Sequence, residues 1–139
     1  MTRIPQKITI DAPPAAVWQL VGDFTGLDKW HKFVKPYPTE GSGPGAVRKL
    51  TIGGNTIPET LASSDEARRA FTYTIGNDVP MPYENYRSTL QVNDLGDGRS
   101  EFVWTIDCDP RGMSEEKVSE MLGGFVAVGL KGAQSYFVS

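Results

Sequence analysis

Few side chains in this sequence could do acid–base chemistry away from water, and His31 heads them. It is the one histidine in 139 residues. It stands between Trp30 and Lys32, after Asp28, and imidazole is the common proton-transfer group near neutral pH. Glu59 follows, in the run PETL. A carboxyl carried into an apolar interior needs a partner, or its pKa rises. Arg48, on the preceding strand, is a cation that can pair with it. Glu59 therefore reads as half of a structural ion pair, or as an acid/base group beside an apolar ligand. Tyr73, Tyr83 and Tyr86 can hydrogen-bond a carbonyl or a phenol, or serve as half-buried sheet aromatics. Trp18 and Trp104 read as packing. Asp107, Cys108 and Asp109 are too few and too adjacent for a metal site. The glycines of GSGPG (41–45) lack the lysine and following helix of a phosphate loop. No Ser-His-Asp order and no nicotinamide or flavin fingerprint is present, so we expect neither metal nor cofactor.

Composition narrows the setting. Hydrophobic residues make up 39% and charged residues 22%, which fits a soluble domain with one core, residues 1–139. Net charge is −3 with no basic block, so nucleic acid is not an expected partner. No apolar run reaches the length of a membrane span. The start, MTRIPQKITIDAP, lacks a signal peptide's apolar core. A single cysteine, Cys108, cannot close an internal disulfide and reads as a small buried residue. A cytoplasmic monomer or homodimer is expected.

The elements follow from periodicity. Arg3–Asp11 alternates around Ile4, Ile8 and Ile10, a strand signal. Pro13 and Pro14 suit a helix start, and Val17, Leu20, Val21 and Phe24 then form a helical stripe. LDKWHK (27–32) predicts a second short helix. Strands are expected at 33–39, 46–52, 56–64, 69–75, 83–93 and 99–109, with turns at 41–45, 53–55, 65–68 and 96–98 and a loop at 76–82. The last stretch, MSEEKVSEMLGGFVAVGLKGAQSYF (113–137), sets Val118, Met121, Leu122, Phe125, Val128, Gly129 and Ala133 on one helical side. Ser114 is the expected N-cap, and Glu115 and Glu116 favour the positive end of the dipole. Gly123, Gly124, Gly129 and Gly132 each cost about 1 kcal/mol against alanine there. Their presence predicts that a backbone or a ligand approaches the helix closely. One strand, two short helices, six strands and a long helix argue an α+β domain with an antiparallel sheet. A curved seven-stranded sheet around one helix leaves room for a cavity.

This order, with IDAPPAAVWQLVGDF (10–24), GAVRKLTIGG (45–54), ETLASSDEARRAFTYTI (59–75), NYRSTLQV (85–92) and VWTIDCDP (103–110), resembles the helix-grip superfamily. That superfamily contains the birch-pollen allergen, START lipid-transfer domains and polyketide cyclases/dehydrases. The sequence looks most like the bacterial cyclase/dehydrase-like branch and next like the plant abscisic-acid receptors. The receptor resemblance places His31 where those proteins carry a ligand-binding lysine, which is absent here. It places Glu59, Tyr73 and Tyr86 at pocket positions, and Met121, Phe125 and Gly129 on the pocket side of the last helix. Val103 falls where a second pocket glutamate stands in the receptors.

Strand parity supports part of this. Glu59, Leu61 and Ser63 share one face, as do Phe71, Tyr73 and Ile75, and Tyr86, Ser88, Leu90 and Val92. We expect a pocket between sheet and last helix, lined by Leu50, Ile52, Leu61, Tyr73, Tyr86, Met121, Leu122 and Phe125. The resemblance implies binding of a hydrophobic or aromatic small molecule, polyketide- or lipid-like. It equally allows a cyclase, dehydratase or aromatase in which His31, Glu59 and Tyr86 move protons, and a protein-binding module like the superfamily's chaperone regulators. Two or more of those polar groups in one cavity would favour the enzyme, and a purely apolar cavity the carrier. We expect His31 and Glu59 on different walls with a tyrosine hydroxyl between them.

Overall fold

The computed structural model describes residues 1–138. β1 (Thr2–Ile10) leads through α1 (Pro14–Val21) and a single 3-10 turn at Leu27–Lys29 to β2 (Thr39–Glu40), β3 (Val47–Ile52), β4 (Asn55–Asp65), β5 (Ala70–Ile75), β6 (Tyr83–Asp94), β7 (Ser100–Pro110) and α2 (Glu115–Tyr136). The strands form one curved antiparallel sheet in the order β1-β7-β6-β5-β4-β3-β2. The α+β helix-grip fold is therefore as expected from the sequence.

Alternation decides the inner face. On β7, Phe102, Trp104, Ile106 and Cys108 are fully buried, while their odd-numbered neighbours are half-buried. Phe71, Tyr73 and Ile75 on β5, and Ser88, Leu90 and Val92 on β6, face the same way. Each large apolar side chain so buried contributes about 1.5–3 kcal/mol.

Two expectations fail locally. The strand expected over 33–39 shrinks to Thr39–Glu40. Pro36 and Pro38 have no N–H to give a ladder. Val34 instead turns back, its N–H donating to the His31 carbonyl at 3.0 Å. The helix expected over 27–32 is three residues long, because the chain swings away at Trp30 to bring Trp30 and His31 under α2.

α2 starts as expected. The Ser114 hydroxyl accepts the Lys117 N–H at 3.2 Å, with Glu115 and Glu116 in the first turn. Its deepest residues are Val118, Leu122, Val126, Gly129, Leu130 and Ala133. Met121, Phe125 and Val128 lie to one side of that stripe. Two side chains tie the helix to β1. Gln6 donates to the Gly123 carbonyl at 2.8 Å, and Gln134 to the Thr9 carbonyl at 2.9 Å.

The helical glycines divide by role. A Cβ at Gly132 would collide with the carbonyl oxygen of Trp30. At Gly129 it would stand 2.6 Å from the Trp104 ring and 2.8 Å from the His31 ring. A Cβ at Gly124 would meet no other group within 4 Å. Gly132→Ala is accordingly expected to lower stability by about 2 kcal/mol, overpacking outweighing the better helix propensity. Gly124→Ala should raise it by up to about 1 kcal/mol. Urea denaturation of the two variants reads the sign, and matching signs would contradict this seating of α2.

Candidate functional site

A cavity of ≈ 470 Å³ opens between the sheet and α2. Its wall is carried by seven segments. Phe33 follows the 3-10 turn, Ile52 ends β3, and Glu59 and Ile75 come from β4 and β5. Met81, Tyr83 and Tyr86 come from the 76–82 loop and β6, and α2 supplies Met121, Leu122, Gly124, Phe125 and Val128. Apart from the Glu59 carboxyl and two phenols, the wall is apolar.

The polar end is built by register. Arg48 pairs with Glu59, Glu59 with Ile75, and Ile75 with Tyr86, one row across four strands. Both members of the first pair are buried, at 2% and 3% exposure. Arg48 Nε donates to Glu59 Oε1 at 2.8 Å, and its Nη1 to the Phe24 carbonyl at 3.1 Å. The guanidinium lies over the rings of Phe24 at 4.2 Å and Tyr73 at 4.7 Å. Burial pushes the Glu59 carboxyl above its ordinary range, and Arg48 opposes that rise. The Tyr73 and Tyr86 hydroxyls meet at 3.2 Å. Burial holds Tyr86 well above the ordinary phenol range and pushes Tyr73 up to about 12.

Tyr83 reaches the same wall because β6 carries a bulge. Between Glu84 and Arg87 two residues oppose one on β7. Asn85 there takes a φ of 54°, a conformation asparagine tolerates better than most. Its N–H donates to Asn77 Oδ1 at 2.8 Å, and its Nδ2 to Asp109 Oδ2 at 2.9 Å. The extra residue turns both Tyr83 and Tyr86 inward. The loop that carries Met81 is held by Arg111, whose guanidinium donates to the carbonyls of Asn77, Val79 and Met81 at 2.7, 2.8 and 3.1 Å.

Of the residues singled out in the sequence, Glu59, Ile52, Tyr86, Met121, Leu122 and Phe125 come together on this wall. Leu50, Leu61 and Tyr73 do not reach it. They are packed into the core behind it, at 1%, 6% and 1% exposure. His31 is not on the wall either, which corrects the expectation of two facing walls. It is fully buried one layer back, stacked on Phe125 with ring centroids 4.1 Å apart. Its Nδ1 accepts the Phe33 N–H at 3.3 Å, which leaves the proton on Nε2 to donate to the Phe125 carbonyl at 2.8 Å. The ring thus joins Phe33 and Phe125, two members of the wall. Burial holds its pKa below the ordinary 6.5.

Sequence reasoning left Phe33, Ile75, Met81, Tyr83, Gly124 and Val128 out of the wall. Ile75 and Val128 were on the right faces by periodicity. Tyr83 lay three residues from Tyr86, out of phase, and only the bulge reconciles the two. Phe33 and Met81 sit in irregular segments where no period applies.

A helix-grip sheet with an apolar cavity under its long helix defines a class of domain, and the comparisons with known proteins agree with it. Residues 1–137 match the family described as "Polyketide cyclase / dehydrase and lipid transport", and the chain belongs to that family. Among solved structures it is similar to the protein XoxI from Bacillus cereus, at 31% identity and a TM-score of 0.91, covering 99% of this chain and 96% of that one. A protein from Thermobifida fusca is similar at 32% identity and 0.87, covering 96% and 91%. The Zhui aromatase/cyclase from a Streptomyces species matches at 18% identity and 0.78, covering 97% and 92%, a likeness of fold.

Two outcomes follow from the buried polar groups. A His31 pKa depressed in the folded chain means that the unfolded chain takes up the proton first as pH falls. Stability should therefore be full above pH 6.5 and decline below it, before the carboxylates titrate near about pH 4. Thermal melts across that window should show the decline, and His31→Gln should flatten it. Arg48→Met strands the Glu59 carboxyl and is expected to cost about 3–5 kcal/mol, whereas Arg48→Met with Glu59→Leu should cost less than the single change. Urea denaturation of the three proteins tests that order.

Proposed function

We propose that the protein binds a hydrophobic or aromatic small molecule, polyketide- or lipid-like, in the cavity between the sheet and α2. The observation that carries this reading is the wall itself. It encloses ≈ 470 Å³ and is lined by Phe33, Ile52, Ile75, Met81, Leu122, Phe125 and their neighbours, with polar groups confined to one end. Pockets for small ligands have this make-up, an apolar wall with a few placed polar groups. The family's description, which includes lipid transport, supports the same reading.

A second reading has one observation in its favour. Glu59 and Tyr86 converge in one cavity, the arrangement expected of a cyclase, dehydratase or aromatase-type enzyme. Against it, Glu59 is tied to Arg48 and Tyr86 to Tyr73, and the Tyr86 phenol is raised far from neutral pH. Proton transfer is most efficient for groups with pKa values near the working pH. His31, the remaining acid/base candidate, is engaged on both nitrogens behind Phe125. Binding is the reading we favour.

Native mass spectrometry of the protein isolated from its own host is the direct test. A retained apolar molecule, lost when Leu122→Trp fills the cavity, is the expected result. A bare protein mass under conditions that preserve noncovalent complexes, together with no uptake of added apolar probes, would refute it.

A further inference from the structure

We propose that the ligand's polar end is a neutral hydroxyl, alcohol or phenol, seated between Glu59 and Tyr83, and that the site discriminates against a carboxylate on the same skeleton. This rests on the binding reading above and specifies the chemistry of the ligand. The polar end of the cavity has hydrogen-bonding capacity left over. Glu59 Oε1 is occupied by Arg48 Nε, and Oε2 has no hydrogen-bond partner among the described residues. The Tyr83 hydroxyl has none either. Both residues line the cavity and are 3% exposed. The Tyr83 and Tyr86 rings lie 4.9 Å apart by centroid. Glu59 stands opposite Ile75 and Ile75 opposite Tyr86 in the strand register, so Glu59 and the Tyr83–Tyr86 pair belong to the same end of the cavity.

The vacant capacity is one acceptor and one donor. A carboxylate oxygen only accepts, and a phenol can donate. A hydroxyl on the ligand donates to Glu59 and accepts from Tyr83, so one group fills both. A ketone or ether accepts from Tyr83 but leaves the carboxylate oxygen unpaired, at a cost once the ligand has displaced water from it. A carboxylate ligand cannot donate to Oε2, and because Glu59 is already paired with Arg48 it enters as an uncompensated charge beside a like-charged oxygen. Arg48 does not relieve this. It is absent from the wall, spends Nε on Glu59 and Nη1 on Phe24, and lies over the rings of Phe24 and Tyr73. Because Arg48 already neutralises Glu59, an ammonium on the ligand would enter as an uncompensated charge and leave the Tyr83 donor unused.

The test uses one apolar skeleton with three ends, 2-naphthol, 2-naphthoate and naphthalene, competing with the neutral dye Nile red on the wild-type protein at pH 7. A charge-assisted hydrogen bond predicts that 2-naphthol displaces the dye at a concentration at least about tenfold lower than either of the others. Glu59→Gln, which leaves Arg48 uncompensated, should move the preference toward 2-naphthoate. Arg48→Met with Glu59→Leu should bring 2-naphthol and naphthalene level. The wild-type series decides the matter even if a variant does not fold. If 2-naphthoate competes as well as 2-naphthol, or naphthalene does, the end-group assignment is overturned while the cavity reading stands. If Nile red and all three compounds fail to bind, both are overturned.

Discussion

The fold depends on how closely α2 can lie against the turn at Trp30–His31. The carbonyl of Trp30 occupies the space where a side chain at position 132 would start, and the rings of Trp104 and His31 fill that space at position 129. Two glycines, each unfavourable in a helix, let the helix backbone sink to this depth. Once there, the Phe125 carbonyl is within 2.8 Å of His31 Nε2, and the imidazole stacks under the Phe125 ring. The position of one cavity wall is thus set by atoms that never face the cavity. A histidine serves here because it accepts on one nitrogen and donates on the other, fastening the 3-10 turn and the helix at once.

The opposite wall is ordered by a different compromise. Arg48 and Glu59 are taken out of water as a pair, and such pairs often cost as much to desolvate as their attraction returns. Here the guanidinium also holds the Phe24 carbonyl, which accepts the Tyr37 hydroxyl at 2.8 Å as well. Tyr37 in turn accepts the Leu27 N–H at 3.0 Å. The pair therefore knits β3 and β4 to the segment between α1 and β2, which has little regular structure to hold it. The cavity inherits a single polar end, because every other residue of the wall comes from an apolar inward position or from a loop.

Much of this architecture was legible in the sequence. Alternation on β4, β5 and β7 and the 3.6-residue period of α2 give the elements within a residue or two, since each element buries one face. The pairing of Arg48 with Glu59 was legible too, as a cation on the neighbouring strand able to meet it. What periodicity could not supply were the breaks in it. Asn85 adds a residue to β6 and reverses the parity between Tyr83 and Tyr86. Pro36 and Pro38 cancel a strand that Phe33, Val34 and Tyr37 otherwise imitate. Position alone put His31 near the ligand, as the receptor resemblance implied, but a residue can be near a cavity and still stand behind its wall. That one-layer difference turns a candidate acid/base group into a fastener.

The two glutamine ties of α2 bear on how a molecule would get in and out. Gln6 and Gln134 stitch the helix to β1 near both its middle and its end, and Gly129 and Gly132 lock it over Trp30. Arg111 does the same for the 76–82 loop. The helix is thus tied down at its middle and its end. The remaining border of the cavity is the stretch between Phe33, 62% exposed and followed by little regular structure, and Ile52 at the tip of the β3–β4 hairpin. A molecule crossing that border would meet an exposed side chain and a hairpin tip, not the packed face of the helix. The packed helix that keeps the domain folded would then stay seated whether the cavity is full or empty.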